Sequence, residues 1–233
     1  MDNIEQTLDA WKKQLVTNIP VGGLISRNAT VYKWKAPFRV WMLRESVAWR
    51  LIDLLDQSHS LYQQQHTLGA RILMRSAFES LATLIYLNQN MQSVLDGKLK
   101  FGDFARTTAV LLLGSRNNDE SKYRSLNIIT VLQKCEKRYP GLMKFYADLS
   151  ESAHPSYEGL CRGYAKIDHD EYETIFSNRW PELYGDQHVT SMELCMKTFE
   201  HEYNDVWIGL MDKLEVWMEA NDAELEATKG DIE

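Results

Sequence analysis

Apolar residues recur along most of this chain at intervals of three and four, the spacing of one face of an α-helix. Ile4, Leu8, Trp11 and Leu15 predict a short N-terminal helix over residues 4–16. Asn18-Ile-Pro-Val-Gly-Gly breaks it, and a linker follows to about Lys35. Phe38, Trp41, Met42, Glu45, Trp49, Ile52 and Leu55 predict a long helix over residues 38–62, with Pro37 tolerated at its start. Leu73, Ala77, Leu81, Leu84, Ile85 and Leu87 predict a second over residues 67–90, and the short join near 58–66 makes the two an antiparallel hairpin. Shorter helices follow over residues 101–113, 126–138 and 142–152, stopped by Gly114-Ser-Arg-Asn-Asn-Asp, by Pro140-Gly141 and by a polar motif. Residues 159–187 hold Pro181, Gly185 and no regular period, which predicts a long excursion with short helices. Met192, Cys195, Met196, Phe199, Tyr203, Val206, Leu210, Leu214 and Trp217 predict one last helix over residues 190–227.

These elements define an all-α protein, a single-domain bundle of about six or seven helices. The organisation expected is an N-terminal helix and linker (1–36), a helical bundle (37–228) and a frayed tail (229–233). With 12 Gly and 5 Pro in 233 residues, a turn-rich all-β fold is excluded. Seven Trp and eleven Tyr supply packing groups that also suit interfaces, so a homodimer is expected.

Charge changes the picture locally. The net charge is −7, which disfavours strong nonspecific nucleic-acid binding. Residues 27–50 nevertheless carry six cations (Arg27, Lys33, Lys35, Arg39, Arg44, Arg50) against Glu45 alone, and the rest of the chain is correspondingly more acidic. Within that segment Val31-Tyr-Lys-Trp-Lys-Ala-Pro-Phe-Arg-Val-Trp-Met-Leu-Arg44 interleaves basic and aromatic residues, as a phosphate-gripping, base-stacking surface does. The plain alternative is an amphipathic helix start, with Trp34, Phe38 and Trp41 facing the core and the basic residues solvated.

Cys135, Cys161 and Cys195 are isolated and odd in number, so neither a disulfide framework nor a cysteine zinc site is expected. The start lacks the pattern of a signal peptide, and no apolar run approaches the roughly 18 residues of a membrane span. A cytoplasmic protein without membrane contact is expected. Walker, GxGxxG, GxSxG and HExxH motifs are all missing from the sequence. Glu151-x-x-His154 resembles half of a di-iron site, but no second copy exists and Pro155 ends the helix. No metal and no cofactor are expected.

Two constellations carry candidate chemistry. Arg71, Arg75 and Glu79 lie at i, i+4 and i+8 on one helix face among apolar neighbours. They read either as an arginine fork for a phosphate or carboxylate, or as a partly buried ion pair between helices. The second is Leu149-Ser-Glu-Ser-Ala-His-Pro-Ser-Tyr-Glu-Gly-Leu160, where a helical pattern stops. It places His154 beside Ser150, Ser152, Ser156 and Glu158, either as a general acid or base or as a helix stop and cap.

The Arg75-Ser-Ala-Phe-Glu79 helix with the later Ser150-x-x-x-His154-Pro-Ser156 element resembles a group of uncharacterised bacterial all-helical proteins. These in turn are distantly similar to HEPN helical domains, which occur in toxin–antitoxin and phage-defence systems. The resemblance covers roughly residues 36–165. It implies a metal-independent ribonuclease or RNA-binding effector, assembled as a dimer and with a protein partner from the same system. In that case His154 is the general acid or base, Arg75 stabilises charge on the scissile phosphate, and Glu79 orients Arg75. The HEPN Arg-x(4–6)-His motif itself has one match, Arg162 to His169, with Gly163 where a polar residue is usual. Arg71, Ser150, Ser152, Ser156, Arg162 and His169 are the candidate binding residues. Two further readings stand beside it: a non-enzymatic, antitoxin-like interaction protein, and a sensor of a small anionic ligand such as a nucleotide.

Overall fold

The computed structural model of the protein describes residues 2–20, 27–115 and 122–231. The fold is all-α. Helices α1 (Asp2–Gln14), α2 (Lys35–Gln63), α3 (Thr67–Leu95), α4 (Phe101–Leu113), α5 (Ile128–Cys135) and α6 (Leu142–Ala153) come first. A π-helical turn, Tyr157–Arg162, leads into a small antiparallel hairpin of β1 (Ala165–Asp168) and β2 (Glu173–Phe176), paired Ala165 to Phe176 through Asp168 to Glu173. Then come α7 (Trp180–Glu200), a π-helical segment (His201–Val206), α8 (Trp207–Ala220) and the one-and-a-half-turn α9 (Asp222–Ala227). None of the described helices is long and apolar enough to cross a membrane.

The chain forms two compact units, and α2, α3 and α7 each supply residues to both. The first unit comprises residues 1–14, 50–80 and 136–197. Its buried residues include Ile4 and Leu8 of α1, Leu55 of α2, Met74 and Phe78 of α3, Leu149 of α6 and Trp180 of α7. Gly69 at the start of α3 lets the helix pass close to Leu61, where an added Cβ would lie 3.2 Å from Cδ1. Ser58 ties the same join by donating to the Ala70 carbonyl at 2.8 Å. The second unit comprises residues 15–49, 81–135 and 198–233, with Trp34, Leu81, Ile85, Phe104, Trp207 and Leu214 buried.

Several expectations are corrected. The buried stripe of α2 runs through Val40, Leu43, Val47 and Leu51, so Phe38, Trp41 and Met42 sit at its margin. Trp49, expected inside, is 47% exposed and lies along the surface, its indole N–H donating to the Val16 carbonyl at 2.8 Å. An amphipathic ring with one donor is satisfied there, which apolar spacing alone does not reveal. Residues 159–187 contain a π turn and a β-hairpin rather than short helices alone. The helix expected over 190–227 starts at Trp180, ten residues early, because Pro181 occupies the first turn and Asn178 Oδ1 accepts the Trp180 N–H at 3.2 Å, and it is interrupted by the π-helical segment and by a break at Asn221. The helix over 126–138 is shorter than expected. Asn127 Oδ1 accepts the Ile129 N–H at its start, and Glu136 leaves its end to accept N–H groups of Gly141 and Met143, both at 2.8 Å. Those two bonds hold the Glu136 carboxyl below its ordinary pKa. Parts of the two breaks, residues 21–26 and 116–121, and the end of the tail lie outside the described residues.

Candidate functional site

In the first unit, α3 and α6 meet through the arginine face. Arg71 is fully buried. Its Nε donates to Ser152 Oγ at 2.8 Å, and its Nη2 donates to Asp148 Oδ2 at 2.7 Å and to the Asp148 carbonyl at 3.2 Å. The guanidinium lies 4.3 Å from the Tyr184 ring centroid, a cation–π contact out of water. Gln187 donates to the same Asp148 oxygen at 2.8 Å. One turn on, Arg75 donates to the Tyr146 hydroxyl at 3.0 Å and stands 3.5 Å from Glu79, while Tyr146 donates to Glu79 at 2.8 Å. Both arginines are therefore engaged by side chains that join the two helices. Of the expected site residues, the structure brings together Arg71 with Ser152 and Arg75 with Glu79.

It does not bring Arg75 to His154. Arg75 meets α6 at Tyr146, and His154 lies eight residues further along, about 12 Å at helical rise. His154 takes an extended backbone (φ −102°, ψ 147°), and its side chain is exposed, without a hydrogen-bond partner among the described residues. The chain after it folds back tightly. An added Cβ on Gly159 would lie 2.0 Å from the His154 carbonyl oxygen, so only glycine fits. Ser156 Oγ accepts the Gly159 N–H and donates to Glu158. An added Cβ on Gly163 would likewise lie 2.4 Å from the Trp180 indole nitrogen. Ser150 Oγ is buried without a partner among the described residues. Arg162 is exposed, 5.9 Å from the Tyr184 ring, and His169 is exposed after β1, so the Arg162-to-His169 pair spans a strand rather than one helix face.

Beneath this surface lies His188, fully buried against Tyr62 at a ring distance of 5.0 Å. Ser58 Oγ spends its proton on the Ala70 carbonyl, so the 3.3 Å contact to His188 Nε2 requires the histidine to donate. Burial, with the Arg71 charge second, pushes its pKa down to about 4.

The second unit contains a pocket of about 310 Å3 at the basic-aromatic segment. The size falls at the lower end of the range for small-molecule sites. Among the described residues six cations line it, Lys33, Lys35, Arg39, Arg106, Lys122 and Lys229, and no carboxylate does. Trp34, Phe101 and Tyr123 complete the wall, with Trp34 edge-on to Phe101 at 5.8 Å. Trp34 is 5% exposed, and its indole N–H is buried with no acceptor among the described residues. The cations are held from outside the lining. Lys33 Nζ pairs with Asp222 at 3.0 Å and Glu226 at 3.6 Å, Arg106 pairs with Asp103, and Arg39 donates to the Ala105 carbonyl at 3.3 Å. The Asp222 hydrogen bond raises the Lys33 pKa. Lys229 Nζ lies 5.1 Å from the Trp34 ring centroid.

Sequence reasoning passed over a second polar cluster in this unit. Arg44, read there as a solvated cation, is buried against the Tyr203 ring at 3.5 Å and the Trp207 ring at 4.5 Å. It pairs with Glu45, which also accepts the Tyr203 hydroxyl at 2.7 Å. Burial and that carboxylate raise the Tyr203 pKa. Arg44 donates to the Tyr203 carbonyl at 3.2 Å, and Asn88 donates to the Glu202 carbonyl at 3.1 Å and to its carboxylate at 2.7 Å. Both carbonyls belong to the π-helical segment, whose widened turn is held open by side-chain donors. The signal available was Glu45, an acid on an otherwise apolar face.

Among the described residues, no group of three or more His, Cys, Asp or Glu side chains is placed to hold a metal ion. No family model, curated protein or solved structure matches the chain.

Proposed function

We propose that this protein is a non-enzymatic regulatory protein that binds a small anionic ligand, a nucleotide or phosphorylated metabolite, in the pocket of its second unit. The observation that carries the reading is the lining itself: six cations and three aromatic rings around one cavity, with no carboxylate among its described residues. Lysine and arginine suit phosphate oxygens, and the rings suit a base or another flat group. The unpartnered Trp34 N–H supplies a donor for a ligand acceptor. The test is thermal unfolding of the full chain against a panel of nucleotides and phosphorylated metabolites. A ligand at one hundred times its Kd stabilises by about 2.7 kcal/mol and raises the midpoint accordingly. A panel without any shift contradicts the reading.

A second reading is the HEPN-like ribonuclease or RNA-binding effector of a defence or toxin system. The exposed, unpartnered ring of His154 favours it, since a general acid or base needs access to its substrate. It requires cleavage of labelled RNA in EDTA by the wild type and none by His154→Ala. Full cleavage by both proteins removes His154 from the chemistry.

A further inference from the structure

Among the described residues, the three most exposed large apolar side chains fall within residues 157–176 of the first unit: Tyr172 at 94%, Phe176 at 76% and Tyr157 at 68%. Leu160, Ile167 and Ile175 are exposed in the same stretch. Residues paired across an antiparallel ladder share a face, and neighbours along a strand alternate. The register therefore puts Ala165, Ile167, Thr174 and Phe176 on one face of the hairpin and Lys166, Asp168, Glu173 and Ile175 on the other. The first face is the apolar one, yet its Ile167 and Phe176 stand in solvent, where an antiparallel sheet ordinarily turns such a face onto a core. The edge of β2 is open as well. Ser177 donates to the Tyr164 carbonyl at 2.9 Å, which makes these two a hydrogen-bonded pair and, by alternation, Lys166 with Ile175 and Asp168 with Glu173. The backbone groups of Thr174 and Phe176 thus point away from β1. On the opposite edge, Arg179 Nη1 donates to the outward carbonyl of Ala165 at 3.1 Å. No third strand borders β2 among the described residues, and its Glu173-Thr-Ile-Phe176 sequence has no lysine or proline to guard it.

We propose that two copies of the chain meet at this hairpin: β2 pairs antiparallel with β2 of a second copy across a two-fold axis at Ile175, giving one four-stranded sheet. The pairing uses only the first unit and is independent of ligand binding in the second. Outward backbone groups must meet outward backbone groups, so the axis passes through a residue rather than between two. An axis at Glu173 or Thr174 sets Glu173 opposite or diagonal to its own mate, a like-charge contact. An axis at Phe176 runs Thr174 against Asn178, which has left the strand to cap α7 through the Trp180 N–H. An axis at Ile175 avoids both. It pairs Ile175 with its mate, Thr174 with Phe176 and Glu173 with Ser177, and it brings the two Phe176 rings diagonally within reach of each other. It also sets the acidic tip of each hairpin, Asp170 and Glu171, towards Arg179 at the base of the other, so the charges are complementary. Tyr172 and Phe176 expose on the order of 350 Å2 in each copy. With Ile167 and Ile175, two copies bring together apolar surface on the order of 1,000 Å2, the size at which a specific interface begins, which suits a dimer of micromolar Kd.

The experiment is sedimentation velocity of the full-length protein over a concentration series, wild type beside Ile175→Lys/Phe176→Lys and Thr174→Pro. The lysines set like charges against each other at the axis, and the proline removes one outward N–H while sparing the bonds to β1. All three positions are exposed, so the helical circular dichroism spectrum stays that of the wild type. The expected result is a wild type that passes from monomer to dimer in the micromolar range and two variants that remain monomeric at concentrations at least about tenfold higher. Cross-linking fixes the register. In a Cys161→Ser background, which removes the exposed thiol and leaves only buried Cys135 and Cys195, Ile175→Cys oxidises to a covalent dimer faster than Thr174→Cys. A wild type that stays monomeric up to about 100 μM overturns the proposal and leaves the hairpin to a different protein. A dimer unaffected by the lysines has its contact elsewhere and overturns it equally. A dimer that the lysines break but the proline leaves intact, or faster cross-linking at residue 174, overturns the strand pairing at Ile175.

Discussion

The arginine face of the first unit and the basic pocket of the second use the same residue types to opposite ends. Arg71 and Arg75 have Asp148, Ser152, Tyr146 and Glu79 within hydrogen-bonding reach, on the helix they pack against or on their own. The pocket cations surround a cavity with no carboxylate among its described lining residues, and Asp222 and Asp103, which pair with Lys33 and Arg106, are not part of that lining. A cation bonded by an opposing helix fastens the fold. One that faces a cavity beside other cations is placed to meet an anion. The motif most conspicuous in sequence therefore fits a fastening role, and the segment that reads as an ordinary helix start fits a ligand site.

The comparison can be broken most forcefully at Asp148. Removing it leaves Arg71 buried without its carboxylate, a loss of about 3 kcal/mol, at the low end for such pairs because Asp148 is itself 39% exposed. Urea unfolding of Asp148→Ala measures it, and a loss below about 1 kcal/mol would show that the pair does not hold α3 to α6.

His188 gives the next effect. Its folded pKa of about 4 lies below the ordinary value of 6.5, so the unfolded chain takes up a proton first as pH falls. Stability therefore declines between pH 6.5 and 4, by up to about 3 kcal/mol. In His188→Gln that part of the slope disappears from a pH series of unfolding free energies, and an unchanged slope removes His188 as its source.

Gly159→Ala comes third. The methyl group meets the backbone oxygen of His154, which has little room to move, and the cost is about 1–3 kcal/mol. If the turn is chiefly structural, thermal stability falls while nucleotide affinity persists.

Lys35→Glu/Arg39→Glu inverts two lining charges. Ligand affinity is expected to fall at least about tenfold, with folding stability lowered by about 1 kcal/mol as Arg39 gives up its bond to the Ala105 carbonyl. The smallest effect is at Glu136, whose lowered pKa contributes stability above the ordinary glutamate value and loses it as pH falls through the folded value. In Glu136→Gln the acid end of the stability profile flattens slightly.

Much of the architecture was legible because helical period survives burial. Phe101–Leu113 and the start of α3 at Thr67 follow directly from spacing and breakers. The β-hairpin was not, since Glu173-Thr-Ile-Phe176 is exposed throughout and shows no alternation of buried and solvated positions. Pro181 was misleading because a proline that ends one helix looks the same as one that begins another. The arginine face was legible from its i, i+4 spacing, although its partners Asp148, Tyr146 and Tyr184 are remote in sequence. The pocket was half legible. Lys33-Trp-Lys35 and Arg39 stood out, whereas Arg106, Lys122 and Lys229 join them only through the fold.

The most direct measurement is calorimetric titration of the nucleotide giving the largest thermal shift into three full-length proteins: wild type, Lys35→Glu/Arg39→Glu and His154→Ala. The account predicts equal affinity for wild type and His154→Ala and at least tenfold weaker binding by the pocket variant. Binding that survives in the pocket variant and vanishes in His154→Ala would contradict it and return the site to the motif after α6.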